Sequence, residues 1–175
     1  MCNEINPIEY IFKRRSVRKY KCTSISDETI NLILSSGMSA PTACDKKSPE
    51  FIVLTDKGKL KNISSFLPNG GFLADAPLGI IVCGNIKRAH SESLSYMLQD
   101  TSAAIENILL AASALDLGAC WLGVHPREDR IENIKKYFNL PEEIIPVSVI
   151  SIGYPAEEKE YRKRFFSENV HFNGY

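Results

Sequence analysis

Ile108-Leu109-Leu110-Ala111-Ala112 is apolar on nearly every face. It lies in a longer run, from about Ser93 to Leu115, where Leu98, Thr101, Ile105, Ile108, Ala112 and Leu115 step by three and four. That period predicts a long helix, buried all round inside the domain or at a subunit interface. Gly118 follows the periodic run, and Ala119-Cys120-Trp121-Leu122-Gly123-Val124 predicts a short strand or extended turn. Working outward, Phe51-Ile52-Val53-Leu54-Thr55, Leu78-Gly79-Ile80-Ile81-Val82-Cys83 and Val147 to Gly153 are short apolar, β-rich runs between turn signals, and predict buried strands. Helices are expected from Ser26 to about Ser36 with Gly37 near the end, from about Lys57 to Phe66 and from about Arg127 to Phe138. A first helix starts at Asn6-Pro7, with Asn as cap and Ile8, Ile11 and Phe12 on one face. Strands and helices alternate. From Pro155 the pattern is lost, leaving a tail whose last apolar residues suggest an arm that packs somewhere.

A chain of 175 residues suits a single domain spanning 1–175, with a C-terminal arm over about 156–175. Lys plus Arg and Asp plus Glu both number 21, so no overall field draws the molecule to nucleic acid or an anionic membrane. Basic residues matter only where they cluster. The five cysteines are scattered, odd in number and never in a Cys-x-x-Cys pair, which points to a reducing cytoplasm rather than a disulfide framework or structural zinc. The N-terminus lacks the pattern of a signal peptide, and no segment has the apolar length to span a bilayer. A soluble cytoplasmic protein is expected.

The densest charge is Arg14-Arg15-Ser16-Val17-Arg18-Lys19-Tyr20. Guanidiniums donate paired hydrogen bonds to phosphate oxygens, and in an extended chain Arg14, Ser16 and Arg18 point to one side. The plainer reading is that Lys13, Arg14 and Arg15 are cations at a helix C-terminus. Other chemistries lack their signatures: no phosphate loop, no dinucleotide fingerprint, and no metal-ligand spacing among His90, His125 and His171. Cys120 lies in an apolar run and reads as an inert buried thiol; a nucleophilic Cys120 or Cys44 activated by His125 is the weaker alternative.

Four blocks, in order and spacing, resemble the nitroreductase family of FMN-dependent oxidoreductases. They are the Arg14–Tyr20 stretch; Ala40-Pro41-Thr42-Ala43 leading into the strand at Phe51; Asp100-Thr101-Ser102-Ala103-Ala104-Ile105-Glu106-Asn107 through Leu117–Gly123; and Val170-His171-Phe172-Asn173 in the tail. The short length is similar to the compact members. The resemblance implies an α+β fold, with a central, mostly antiparallel sheet flanked by helices, and an interlocked homodimer with FMN at the interface. It implies flavin contacts from Arg14, Arg15, Ser16 and Arg18, a phosphate-binding pair at Arg162 and Arg164, and a loop, Pro41, Thr42 and Ala43, reaching the flavin of the partner subunit. Leu122 and Gly123 would lie beside the ring, where a backbone N–H can donate to N5. Asn69 resembles a flavin-contacting Asn, and Arg14 is the candidate cation near N1 and O2.

The chain departs from the family at Asp45-Lys46-Lys47-Ser48-Pro49, where many members read Asn-x-Gln-Pro-Trp. Asp45 thereby joins the expected cofactor-contacting residues, and its charge would lower the flavin potential unless Lys47 offsets it. The activity implied is hydride transfer from NADH or NADPH to FMN, then reduction of a nitroaromatic, quinone or similar small molecule, by a ping-pong route. The cofactor carries the chemistry, with no catalytic acid or base and no metal. The alternatives are a protein that binds and sequesters flavin with little turnover, and an anion-binding adaptor with no flavin.

Overall fold

Every residue from Leu78 to Cys83 is buried, because the strand they form is covered on both faces. A computed structural model describes residue 6 and residues 8–175. Four strands, β1 (Pro49–Leu54), β2 (Leu78–Asn85), β3 (Gly118–Gly123) and β4 (Ile144–Gly153), form one sheet in the order β1-β2-β4-β3. All neighbours are antiparallel. The helices are α1 (Glu9–Lys13), α2 (Asp27–Met38), α3 (Lys57–Ser65), α4 (Leu94–Ala114) and α5 (Glu128–Phe138). The α+β layout implied by the resemblance is therefore present.

Alternation sorts β2 between two cores. Leu78, Ile80 and Val82 meet α2 and α4 through Ile30, Ile33, Met97, Ile105 and Ile108. Ile81 and Cys83 face the other way, toward Leu60 and Ile63 of α3 and Ile134 of α5. A bulge lets Val147 fall between the partners of Val82 and Cys83, which inverts the parity of β4 on its N-terminal side. Ile145 thus packs with the first core although Val149 belongs to the second. Pro49 is tolerated because β1 is an edge strand.

Gly37 lies inside α2 rather than beyond it, and a Cβ there would come within 2.9 Å of Ile108 Cγ1, so the glycine sets how closely α2 approaches α4. Within one copy of the chain the long helix is not buried all round, so of the two expected settings the interior of the domain alone does not enclose it. Met97, Thr101, Ala104, Ile105, Ile108, Leu109 and Ala112 are enclosed, while Leu110 and Ala111 are half-buried and Ala114 and Leu115 exposed. One copy of the chain covers one face of α4, and the other opens onto a cavity shared with Tyr10 and Ile11. Helix α1 also differs from expectation. Its cap position is Ile8, whose N–H donates to Asn6 Oδ1 at 3.1 Å; Ile8 and Ile11 are about half exposed, and Pro7 falls outside the described residues. Beyond Gly153 there is only one short 3-10 turn, Ser167–Asn169. Residues 160–162 dock on α1, with the Arg162 N–H donating to Phe12 O and Tyr161 edge-on to Phe12 at 6.1 Å. Phe165 and Phe172 are exposed.

Candidate functional site

Helix α1 ends at Lys13, whose ammonium takes Asp116 at 2.8 Å, so the solvated-helix-end reading holds for that residue. From Arg14 the chain is extended and runs onto the sheet. The Val17 N–H donates to Ala119 O at 3.0 Å, and Lys21 N–H and Ala156 N–H tie the stretch to the strand end beyond β4. Val17 and Tyr20 turn inward; the Tyr20 hydroxyl donates to Val17 O at 2.6 Å and lies 2.7 Å from Ser151 Oγ. A Cβ on Gly118 would stand 2.7 Å from Val17, so only glycine permits this approach.

With Val17 inside, Arg14, Arg15, Ser16 and Arg18 line a cavity of about 540 Å³, and Arg162, Arg164 and Lys159 close its other side. Two stretches nearly 150 positions apart thus converge, as the resemblance implied; Lys159 was not foreseen. Among the described residues no carboxylate lines the cavity, although Glu106 meets Arg14 Nε at 3.3 Å from outside it. Arg15 donates to the Glu160 carbonyl. Arg18 N–H donates to Glu157 Oε1 at 2.7 Å, and this contact, followed by Lys159, holds the Glu157 carboxyl below its ordinary value.

A second cleft, of about 200 Å³, contains Asn69, Leu122 and Gly123, and Arg18 lines both spaces. Arg14 lines only the first of the two. The Arg18 guanidinium lies over Phe72, 5.8 Å from the ring centre. Cys120, beneath the cleft, is 2% exposed, and burial pushes its thiol up against the opposing pull of Arg18, Ser16 and Arg14. It is a neutral thiol, as its apolar setting predicts. A Cβ on Gly123 would meet nothing within 4 Å, so this glycine is not required by packing and leaves the strand end open to a flat ligand. Arg130 of α5, which no motif singles out, reaches the same place and donates from Nη1 to Gly123 O at 2.6 Å.

Pro41, Thr42, Ala43 and Asp45 stand apart from these two cavities. Thr42 and Asp45 line a third, of about 610 Å³, with Lys47, Glu50, Phe51 and Arg88. Their loop is held by Asp100 of α4, only 4% exposed, which accepts from Ala43 N–H at 2.9 Å and from Ser48 Oγ at 2.7 Å. Cys44, Asp45 and Lys47 have φ of 52°, 53° and 54°, in the left-handed region that non-glycine residues seldom adopt. Asp45 pairs with Lys47 at 3.3 Å, so the added carboxylate comes with its own counter-ion. Among the described residues no group of His, Cys, Asp and Glu could hold a metal ion, and no helix is long and apolar enough to cross a membrane.

The sequence matches the nitroreductase family over residues 11–67 and 63–154. A protein of Methanothermobacter thermautotrophicus named "Putative NADH dehydrogenase/NAD(P)H nitroreductase" is 41% identical over 97% of this chain and 87% of its own. A crystal structure from Bacteroides thetaiotaomicron under the same name is also 41% identical, with a TM-score of 0.90 over 97% of this chain and 98% of that one. An "FMN-dependent Nitroreductase" from Clostridium difficile is 33% identical, with a TM-score of 0.89 over 96% and 99% of the two chains. Sequence agrees along most of all three and fold along almost the full length of the two solved structures, with the sheet, the long helix and the basic stretch inside the matched span, and the chain belongs to the nitroreductase family.

Proposed function

We propose that the protein is an FMN-dependent oxidoreductase that takes hydride from NAD(P)H and reduces small acceptors such as nitroaromatics or quinones in a ping-pong cycle. The observation that carries this reading is the convergence of Arg14, Arg15, Ser16, Arg162 and Arg164 on one cavity that no carboxylate among the described residues lines, joined through Arg18 to the cleft at Leu122 and Gly123. A phosphate monoester carries about −1.5 to −2 charges at neutral pH, and forked guanidiniums with a hydroxyl match its oxygens. The first cavity would hold the phosphate end of FMN, and Arg18, Asn69, Leu122 and Gly123 the ring. When bound, FMN supplies the two-electron chemistry, and the protein supplies orientation and field. Arg18, rather than Arg14, is then the cation at the ring end, with its guanidinium over the Phe72 ring.

A second copy of the chain completes this picture. Pro41, Thr42 and Ala43 share neither cavity with the ring residues, which supports a flavin contact made across an interface by the partner subunit's loop. Exposed Ile11, Phe165, Phe166 and Phe172, and the open face of α4, support such an interface. The unbridged cysteines Cys22, Cys44, Cys83 and Cys120 support a reducing cytoplasmic setting.

The test is an anaerobic visible spectrum of the protein supplied with FMN, before and after NADH and then NADPH. Flavin bands that bleach and recover on adding a quinone or nitroaromatic are expected. Flavin that resists both donors would replace this reading with the sequestering one; absence of bound flavin would leave a likeness of fold alone. Arg14→Ala or Ser16→Ala weakens FMN retention, and unchanged affinity in both would remove the phosphate assignment.

A further inference from the structure

Arg130 is placed against its local electrostatics. It sits in the first turn of α5, where a cation opposes the helix macrodipole, and among the described residues it forms no ion pair. A solvated surface arginine would turn outward. This one turns toward the end of β3, donates from Nη1 to Gly123 O at 2.6 Å, and leaves Nε buried with no hydrogen-bond partner. It faces the cleft that Arg18 also lines, and among the described residues no carboxylate lines that cleft. Two guanidiniums sharing so small a space repel each other, and negative charge in the cleft would relieve the repulsion.

We propose that Arg130 is a positioning residue for the flavin: it fixes the last peptide of β3 through the Gly123 carbonyl and brings a second fixed positive charge to the ring end of the site, favouring reduced over oxidised FMN. The inference rests on the reading of the Leu122–Gly123 cleft as the ring site. It separates two effects that the fork of Arg130 combines. The grip on Gly123 needs a planar donor in one place and holds both redox forms of the cofactor. The charge acts selectively on the form that gains negative charge on reduction.

The test uses the full-length protein, stripped of flavin and retitrated with FMN, together with the midpoint potential of the bound cofactor. Thermal unfolding checks that each variant folds. In Arg130→Gln, the preference for reduced over oxidised FMN falls roughly tenfold, which is about 30 mV lower for a two-electron couple. In Arg130→Lys, the charge stays and the fork is lost, so at least half of that preference returns while affinity for both forms drops together. An unchanged potential in Arg130→Gln, at whatever affinity, would make Arg130 a merely structural residue and overturn the proposal. Equal shifts in both variants would also overturn it, because charge would not be the cause. A wild-type protein that binds oxidised FMN while the variants behave in either of those ways refutes this inference alone; a wild type that binds no FMN refutes it together with the reading it rests on.

Discussion

The Arg14–Tyr20 stretch and the loop from Ala40 to Ser48 both carry expected flavin contacts, yet they are held in opposite ways. The stretch is fixed by backbone hydrogen bonds to Ala119 and Tyr154 and by two inward side chains, Val17 and Tyr20. The loop is gripped by one buried carboxylate, Asp100, with a single backbone bond to the sheet, from Asn85 N–H to Ser48 O at 2.8 Å, and it contains three non-glycine residues in the left-handed region. A chain docked by its backbone can vary its outward side chains freely. A loop docked chiefly by one carboxylate depends on that group, while its tip, Cys44 to Lys47, is free to diverge. The departure from the family's pattern begins at that tip, with Asp45, Lys46 and Lys47, and runs on to the anchored Ser48 and to Pro49 of β1.

The comparison breaks most sharply at Asp100. Asp100→Ala leaves the Ser48 hydroxyl, which has no exposed surface, and the Ala43 N–H without their acceptor. A loss of about 2–4 kcal/mol in unfolding free energy is expected from two bonds to a charged acceptor. Chemical denaturation measures it, and a loss below about 1 kcal/mol would mean that the loop has other anchors. The matching change on the other side is Gly118→Ala, which puts a methyl 2.7 Å from Val17 and forces the basic stretch off β3. About 1–3 kcal/mol of destabilisation is expected, with weaker FMN binding. Amide exchange at Ala43 should stay unchanged in this variant; faster exchange there would show that the two regions are coupled.

A smaller effect isolates the side-chain share of the stretch's anchoring. Tyr20→Phe removes the hydroxyl that bonds Val17 O and Ser151 Oγ while keeping the ring between Val17 and Ala76. About 1 kcal/mol is expected, since the backbone bonds remain. A loss as large as that of Asp100→Ala would abolish the distinction between the two kinds of anchoring.

Periodicity made the strands and α4 legible, because burial on both faces of a strand leaves a continuous apolar run. It could not show the bulge at Val147, since one extra residue changes which face a side chain takes without changing its type. The open face of α4 was hidden for a related reason: Leu110 and Ala111 are as apolar as their buried neighbours, and one copy of the chain does not cover them. Within the candidate site, Arg14, Arg15, Ser16 and Arg18 could be singled out because they are adjacent in sequence, and Arg162 and Arg164 through the family resemblance. Asp100 and Arg130 carried no local signal of their roles. Each lies on a helix among other polar residues, and its partners, Ala43 and Ser48 or Gly123, are fixed only by the fold.

The smallest expected effect lies where the basic stretch meets the C-terminal segment, and it is a dependence on pH. Glu157 accepts from the Arg18 N–H at 2.7 Å and pairs with Lys159 at 2.9 Å, and these contacts hold its carboxyl below the ordinary value of 4.5. A carboxylate depressed in the folded state binds fewer protons there than in the unfolded chain. Its contribution is therefore complete above pH 4.5 and is lost as the pH falls through the lower, folded value. Because the group lies near solvent, screening keeps the effect small, and added salt should weaken it further. Glu157→Gln should flatten the acid limb of the stability profile without moving the plateau at neutral pH by more than a small amount, since the amide oxygen can still accept from Arg18. If the acid limb is unchanged in Glu157→Gln, the charge of Glu157 does not contribute to folding, and the C-terminal segment is held to α1 and the basic stretch by its other contacts, Arg15 to Glu160 O, Arg162 N–H to Phe12 O and Ala156 N–H to Lys19 O.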